Sequence, residues 1–254
     1  MSLRPSIVAL RGVGKTFENG TVALDGFDLT VRAGEFVTLL GPSGCGKSTA
    51  LRIIAGLSGA SAGTVERSAG NAAGEIGFVF QDPTLMPWAT VADNARLPLK
   101  LARADAALSR AAARQALAHV GLSEFENAYP RELSGGMKMR VSIARALSTE
   151  PSLLLMDEPF AALDEITRFK LNNDLLALWQ KLRRTVIFVT HSVFESVYLS
   201  QRIVVMTQRP GRVFAEIEIP AAYPREDRYR MSSEYAGYCR QVADALTAAM
   251  GDVA

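Results

Sequence analysis

The glycine-rich segment 41–48 constrains the fold of this chain more than any other feature. It reads Gly-Pro-Ser-Gly-Cys-Gly-Lys-Ser and fits the pattern G-x-x-x-x-G-K-[ST]. It follows a short apolar run typical of a strand, residues 35–40, and precedes a helix-like pattern over 48–57. Glycines let backbone N–H groups converge on phosphate oxygens, and a helix N-terminus adds a favourable dipole. The sequence therefore predicts a phosphate-binding loop in an α/β fold.

The loop residues have distinct expected roles. We expect Lys47 to reach the β- and γ-phosphates of a nucleotide and the Ser48 hydroxyl to ligate Mg²⁺. Cys45 occupies a variable position of the pattern, and we interpret it as a small tolerated residue rather than a redox group. The candidate nucleotide-binding residues of this segment are Gly41, Pro42, Ser43, Gly44, Cys45, Gly46, Lys47, Ser48 and Thr49.

A second candidate site is an acidic pair that follows an apolar run. Residues 153–156 are Leu-Leu-Leu-Met, and Asp157 and Glu158 come directly after them. Open α/β sheets bind ligands at the carboxyl ends of their strands. We expect Asp157 to hold Mg²⁺, directly or through water, and Glu158 to deprotonate the attacking water as general base. An acidic pair after a strand is common by itself, so this interpretation depends on the phosphate-binding loop.

Composition excludes several classes of protein. With 48% hydrophobic and 21% charged residues, the chain is typical of a globular protein rather than a disordered one. The net charge of +2 is too small to indicate nucleic acid as a partner. The apolar runs are strand-length, and residues 7–10 are too few for a signal peptide. The two cysteines suggest neither a disulfide framework nor a zinc site, so we expect a cytosolic location.

The order of the predicted elements indicates a doubly wound sheet with a helical insertion. Residues 152–156 and 185–190 are continuous apolar runs, as expected for parallel strands buried on both faces. Residues 93–120 are rich in Ala, Leu and Arg and predict a helical block, and 164–183 predicts one long helix. Further strands are predicted over 7–17, 27–32, 64–67 and 76–81, with a hairpin over 202–219 and a polar helical tail after it.

Residues 133–137, Leu-Ser-Gly-Gly-Met, resemble the signature motif of the ATP-binding subunits of ABC transporters. With the two motifs above, the resemblance covers nearly the whole chain. It implies an α/β fold, with a P-loop NTPase (RecA-like) core over 1–89 and 151–220 that includes an antiparallel β-subdomain. It also implies an α-helical subdomain at 90–150 and a C-terminal helical tail at 221–254. The implied activity is ATP hydrolysis coupled to solute import, with ATP and Mg²⁺ as cofactors.

The resemblance also implies how the chain is assembled. Ser134, Gly135 and Gly136 would aim a hydroxyl, backbone N–H groups and a helix start at the γ-phosphate held by another subunit. That geometry implies a head-to-tail dimer of two copies with ATP between them. Asp164 ends the segment 161–164, which resembles the D-loop that crosses the dimer interface.

Three further positions match the family one by one. Gln81 resembles the Q-loop glutamine that senses Mg²⁺ and the attacking water. His191 resembles the switch histidine that touches the γ-phosphate, and Phe17 resembles the aromatic residue that stacks on adenine. The implied catalytic residues are thus Glu158, His191 and Gln81, and the implied metal ligands are Ser48, Gln81 and Asp157.

A finer resemblance concerns the transported solute. Met137 stands where Gln is usual in the signature and, with residues 80–88 and the tail segment 210–239, resembles the subgroup of nitrate, sulfonate and taurine importers. Exposed apolar anchors mark binding sites, so we expect residues 83–94, with Met86 and Trp88, to dock on a transmembrane permease. The other implied partner is a solute-binding protein, and the implied location is the cytoplasmic face of the inner membrane.

Two alternatives remain at this point. A soluble ABC ATPase could act on nucleic acid or ribosomes, although such proteins usually carry a long coiled coil or two tandem cassettes. A small-molecule P-loop kinase would share the loop at 41–48 but has no use for residues 133–137.

Overall fold

The computed structural model describes residues 5–68 and 75–251. The chain divides into two compact units, Met1–Ala69 with Thr185–Ala254, and Gly70–Arg184. We call the first the P-loop unit, because it contains residues 41–48, and the second the signature unit, because it contains residues 133–137.

The P-loop unit contains a three-stranded antiparallel sheet in the order β2-β1-β4. Its strands are β1 (Ser6–Thr16), β2 (Val22–Arg32) and β4 (Ala62–Arg67). Phe27, Leu29 and Val31 are buried at alternate positions of β2, as expected where one face of a sheet covers a core. The strand predicted over 27–32 therefore begins five residues earlier.

The same unit contains parallel strands that carry the phosphate-loop segment. β3 (Phe36–Leu40) pairs in parallel with both β7 (Thr185–Thr190) and β8 (Arg202–Met206), and β9 (Val213–Glu218) pairs antiparallel to β8. Every residue of β3 and β7 is buried, which confirms the prediction of a two-sided parallel strand at 185–190. The helices of this unit are α1 (Lys47–Ile54), α7 (Val193–Leu199) and α8 (Ser233–Gly251).

In the signature unit, β5 (Ile76–Val79) and β6 (Leu153–Asp157) pair in parallel. Its helices are α2 (Val91–Ala95), α3 (Leu97–Leu101), α4 (Ala106–His119), α5 (Gly135–Leu147) and α6 (Glu165–Leu182). The predicted helical block over 93–120 is thus three helices. The break before α4 has a local cause, because Arg103 has a φ of 56° and Asp105 caps α4 by accepting from the N–H groups of Ala107 and Leu108.

The apolar stripes predicted from spacing face inward. Ala113, Leu117 and Val120 are buried around α4, and Leu171, Leu175 and Leu178 are buried on α6, whereas Leu182 is only half-buried. The predicted tail forms a 3₁₀ turn (Asp227–Met231) followed by α8, and residues 252–254 of that prediction lie outside the described residues. In the part of the chain that the structure describes, no helix is long and apolar enough to cross a membrane.

Candidate nucleotide site

The loop between β3 and α1 has the backbone conformation that its glycines permit. Gly44 has a φ of 76° and Gly46, the N-cap of α1, has a φ of 107°. A Cβ atom on Gly46 would lie 2.6 Å from the carbonyl oxygen of Ala23, so no other residue fits there. The turn leads from the end of β3 directly into the first residues of α1, including Ser48 and Thr49, which are half-buried.

Lys47 is held inside this loop. Its side chain is 3% exposed, and Nζ donates to the carbonyl oxygens of Gly41 and Pro42 at 2.8 and 2.9 Å. A buried ammonium group is costly unless it is hydrogen-bonded, and these carbonyl groups supply that compensation. The loop therefore encloses a positive charge, and a phosphate group could replace the two carbonyl oxygens as its hydrogen-bond acceptor.

Cys45 is buried beneath the loop. A Cβ atom on Gly41 would lie 2.9 Å from Sγ of Cys45, so the thiol occupies the space that a larger residue at position 41 would need. Ser43 and Gly44 are exposed, and Pro42 is half-buried. The thiol thus limits the residue type that fits at position 41.

Phe17 lies just after β1 with an exposed ring. The side chain is 42% exposed, and Nζ of Lys15 lies 5.4 Å from the ring centroid. An exposed aromatic face can stack on a planar base, and a neighbouring cation attracts an electron-rich one. The ring is thus available for stacking.

His191 is exposed and follows β7 directly. The residues on both sides of it are fixed. The N–H of Ser192 donates to Oγ1 of Thr190 at 3.0 Å, and that hydroxyl donates to Oε2 of Glu195 at 2.5 Å. Ser192 in turn caps α7 by accepting from the N–H of Glu195. The imidazole is therefore presented from a well-ordered strand-to-helix turn.

In the signature unit, the acidic pair stands at the carboxyl end of a strand. Asp157 is the last residue of β6 and is buried, and Glu158 is half-buried. Glu158 has a φ of 45°, in the left-handed region that non-glycine residues rarely adopt. Backbone strain of this kind concentrates at functional sites. No residue pattern around position 158 predicted this conformation.

The signature segment and the D-loop segment are neighbours in the same unit. Ser134 caps α5, with Oγ accepting from the N–H of Met137 at 3.3 Å, and Ser134 and Gly135 are exposed. A Cβ atom on Gly136 would lie 2.7 Å from Cγ2 of Thr167. Asp164 caps α6 by accepting from the N–H of Thr167, and that hydrogen bond lowers the pKa of the Asp164 carboxyl.

Gln81 is exposed just after β5 and begins a loop that two buried residues hold in place. Asn94 is fully buried, accepts from the N–H of Met86 at 2.7 Å, and donates to the carbonyl oxygens of Met86, Ala89 and Thr90. Trp88, in the middle of this loop, is 77% exposed. The loop thus holds a large apolar side chain in solvent on a fixed backbone.

Sequence reasoning missed Asn94 and Arg145, the second residue that holds the loop. Arg145 is buried on α5 and donates to the carbonyl oxygens of Pro83 and Thr84 at 2.8 and 2.9 Å. Both are polar side chains on otherwise buried helix faces, which is the one signal that could have found them. Among the described residues, no group of three or more His, Cys, Asp or Glu side chains is arranged to hold a metal ion.

Comparisons with known proteins identify the family of this chain. The family model described as ABC transporter matches residues 24–161. An ABC transporter ATP-binding protein of Methanocaldococcus jannaschii is 48% identical over 238 residues, which cover 91% of this chain and 88% of that protein. An aliphatic sulfonates import ATP-binding protein of Pseudomonas savastanoi is 46% identical over 223 residues, covering 88% and 90%. The structure of a dimeric ATP-binding cassette in a post-hydrolysis state with ADP and Pi has a TM-score of 0.73 at 34% identity, covering 85% and 100%.

Proposed function

Because this chain belongs to the ABC transporter family and is an ATPase of that family, we propose that it powers an importer of a small anion. Nitrate, a sulfonate or taurine is the candidate solute. The observation that carries this proposal is the 46% identity, along 88% of the chain, to a protein named for the import of aliphatic sulfonates. The same similarity disfavours the alternative of an ABC ATPase acting on nucleic acid or ribosomes.

The P-loop residues fit a nucleoside triphosphate. Gly44 and Gly46 have the positive φ angles of an anion-binding turn, and the enclosed ammonium of Lys47 would exchange carbonyl oxygens for phosphate oxygens. We assign the binding of phosphate to residues 41–49 and the stacking of adenine to Phe17. When bound, Mg²⁺ would neutralise phosphate charge, with the Ser48 hydroxyl, the Asp157 carboxylate and the Gln81 amide oxygen as its protein ligands.

We assign hydrolysis to three side chains. Glu158 takes a proton from the attacking water, Gln81 orients that water, and His191 donates a hydrogen bond to the γ-phosphate. Glu158 has a strained backbone and directly follows a buried strand. Because such strain concentrates at functional sites, it supports a catalytic role for this glutamate.

The proposed working unit contains two copies of this chain. Ser134 and Gly135 are exposed at the start of α5, where the N-terminal end of a helix favours an anion. We propose that Ser134, Gly135 and Gly136 bind the γ-phosphate of ATP held by the other copy, head to tail, and that Asp164 lies at that interface. The dimeric structure of a relative that is 34% identical supports this assembly.

We propose that the loop with Trp88 docks on a transmembrane permease. The exposed indole on a backbone fixed by Asn94 and Arg145 is the kind of apolar anchor on which protein interfaces depend. We therefore propose that the subunit acts at the cytoplasmic face of the inner membrane, where a solute-binding protein would be an indirect partner through the permease.

The variant Glu158→Gln tests the proposed hydrolytic site. The amide keeps the size of the side chain but accepts no proton, so we expect a 10²- to 10⁴-fold slower turnover, or about 2.7 to 5.4 kcal/mol of barrier. Binding should survive, so the variant should accumulate as an ATP-bound dimer in size-exclusion chromatography. The control Lys47→Ala should lose nucleotide binding and stay monomeric. Turnover of Glu158→Gln at the wild-type rate would place the base elsewhere.

The solute class needs a separate test. Cells that lack this chain should lose uptake of one of the three anions, and the Glu158→Gln gene should not restore it while the wild-type gene does. Unchanged uptake of nitrate, sulfonates and taurine would contradict the proposed class without affecting the ATPase assignment.

A further inference from the structure

The turn between β8 and β9 carries an arginine that contacts the phosphate-binding loop. Nε and Nη2 of Arg209 both donate to the carbonyl oxygen of Gly44, at 3.1 and 3.0 Å. Two N–H groups of a rigid guanidinium on one oxygen fix the direction of that carbonyl more narrowly than a single donor could.

The turn itself is anchored independently of Arg209. The N–H of Gly211 donates to the carbonyl oxygen of Ala23 at 2.9 Å, and Gly211 accepts from the N–H of Asp25 at 3.2 Å. A Cβ atom on Gly211 would lie 2.1 Å from the carbonyl oxygen of Cys45, so the turn lies directly against the loop. Oγ1 of Thr207 closes the turn by bonding with Pro210 and Arg212. Arg209 thus acts from a fixed base.

The direction of the Gly44 carbonyl determines the direction of the next N–H. In a trans peptide the C=O of Gly44 and the N–H of Cys45 point to opposite sides. Because the oxygen points toward Arg209, the N–H of Cys45 points away from Arg209. There it donates a long hydrogen bond of 3.4 Å to the carbonyl oxygen of Pro42. A backbone N–H directed away from Arg209 in this way is a donor that a phosphate oxygen can use.

We propose that Arg209 is a positioning residue for nucleotide phosphate. It holds the Gly44–Cys45 peptide in the binding orientation before the nucleotide arrives, and it makes no contact with the phosphates itself. This inference rests on the proposed nucleotide site. Because Gly44 and Arg209 are both exposed, water competes with the hydrogen bonds, and we expect a moderate effect of about three- to tenfold on affinity.

The test compares two arginines of the same turn. Arg209→Ala should bind Mg·ADP about three- to tenfold more weakly in calorimetry on the full chain, with an equally raised KM for ATP and an unchanged kcat. Arg212→Ala is the matched control, because Arg212 pairs with Asp25 rather than with the loop, and its affinity should stay within about twofold of wild type. Arg209→Lys keeps the charge but lacks the rigid planar fork of donors, so it should not restore affinity.

Hydrogen exchange gives a readout without nucleotide. Amides of residues 41–48 should exchange faster in Arg209→Ala than in wild type or Arg212→Ala. If Arg209→Ala keeps wild-type affinity and wild-type exchange rates, the inference about Arg209 is wrong, whereas the proposed nucleotide site is unaffected. Full rescue by Arg209→Lys would also overturn it, because charge attraction would then suffice. A wild-type chain that does not bind Mg·ADP would instead overturn the proposed nucleotide site.

Discussion

Arg145 donates hydrogen bonds to both the carbonyl oxygen and the hydroxyl oxygen of Thr84, at 2.9 and 3.0 Å. Arg145 belongs to α5, the helix that Ser134 caps, and Thr84, with a φ of 46°, belongs to the loop that begins at Gln81. Burial lowers the pKa of the Arg145 guanidinium, and backbone oxygens replace the water it loses. A displacement of α5 would therefore be transmitted to the loop that carries Trp88.

Arg145→Met should remove this link and destabilise the protein. It leaves the carbonyl groups of Pro83 and Thr84 without their donor, so we expect the free energy of unfolding to fall by about 2 to 4 kcal/mol. Denaturant unfolding measures the loss. Arg110→Met, at an exposed position of α4, is the control and should change it by less than about 0.5 kcal/mol. Equal losses in the two variants would show that the contacts of Arg145 contribute nothing.

Trp88→Ala should weaken assembly with the proposed permease partner while leaving nucleotide affinity intact. An exposed tryptophan that becomes buried at an interface contributes about 2 kcal/mol or more to binding, or about thirtyfold in Kd. Leu108→Ala removes another exposed apolar side chain of the same unit and should leave assembly unchanged. Co-purification from membranes reports assembly, and an equally large loss of ATP binding by the isolated subunit would argue against docking.

The signature segment allows a paired test. Met137 is half-buried and its backbone N–H bonds to Ser134, so Met137→Gln should change the ATPase rate by less than about tenfold, or 1.4 kcal/mol of barrier. Ser134→Arg puts a bulky cation where, in the proposed site, the backbone approaches the γ-phosphate, and it should abolish hydrolysis. Steady-state ATPase assays distinguish the two. A Ser134→Arg protein with wild-type turnover would refute the proposed role of this segment.

The sequence predicted the parts of the fold that depend on local pattern. Residues 185–190 were predictable as a two-sided strand because the four central positions are all apolar, and the glycines at 44 and 46 permit the positive φ angles that the loop adopts. The division of the predicted helical block into three helices was not predicted, because it depends on the conformation of single residues such as Arg103. The division of the chain at residues 90, 150 and 220 stays a prediction.

The residues that hold the candidate site in place were not predictable from spacing. Arg145 lies 61 positions from Thr84 and Arg209 lies 165 positions from Gly44 in the chain, so each contact depends on tertiary packing. Motifs identify the groups that contact a ligand, because chemistry restricts those residue types. The groups that orient a loop can be any donor that reaches it, and they leave no comparable pattern.

His119 gives a pH-dependent prediction. Burial, and secondarily the positive charge of Lys181, lower the pKa of His119 below its ordinary value of 6.5, with Glu150 opposing them. As the pH falls through about 6.5, this histidine therefore binds its proton more readily in the unfolded chain than in the folded one, so its contribution to the free energy of unfolding decreases. His119→Gln should show a smaller loss of stability between about pH 7.5 and 5.5 in denaturant titrations. Parallel profiles for the two proteins would refute this assignment.

Arg225 closes the carboxyl end of α7. Its side chain is 4% exposed, and Nη1 donates to the carbonyl oxygens of Val197, Tyr198 and Ser200 at 2.8 to 2.9 Å. The last carbonyl groups of a helix lack partners within the helix, and a buried end must find them elsewhere. Desolvation lowers the pKa of the guanidinium, and the ring of Tyr223 covers it at 4.2 Å. One tail residue thus fixes the helix that begins two residues after His191.

Arg225→Met should lower the free energy of unfolding by about 3 kcal/mol, because several buried carbonyl groups lose their donor at once. Since α7 orients the turn that presents His191, we also expect a lower kcat with little change in nucleotide affinity. Arg225→Lys keeps a charged donor and should recover part of both. Arg228→Met, whose side chain is 86% exposed in the neighbouring 3₁₀ turn, is the control and should resemble wild type. A fully stable Arg225→Met protein would show that other contacts hold α7. A destabilised Arg225→Met protein with a normal kcat would show that α7 does not orient His191 for hydrolysis.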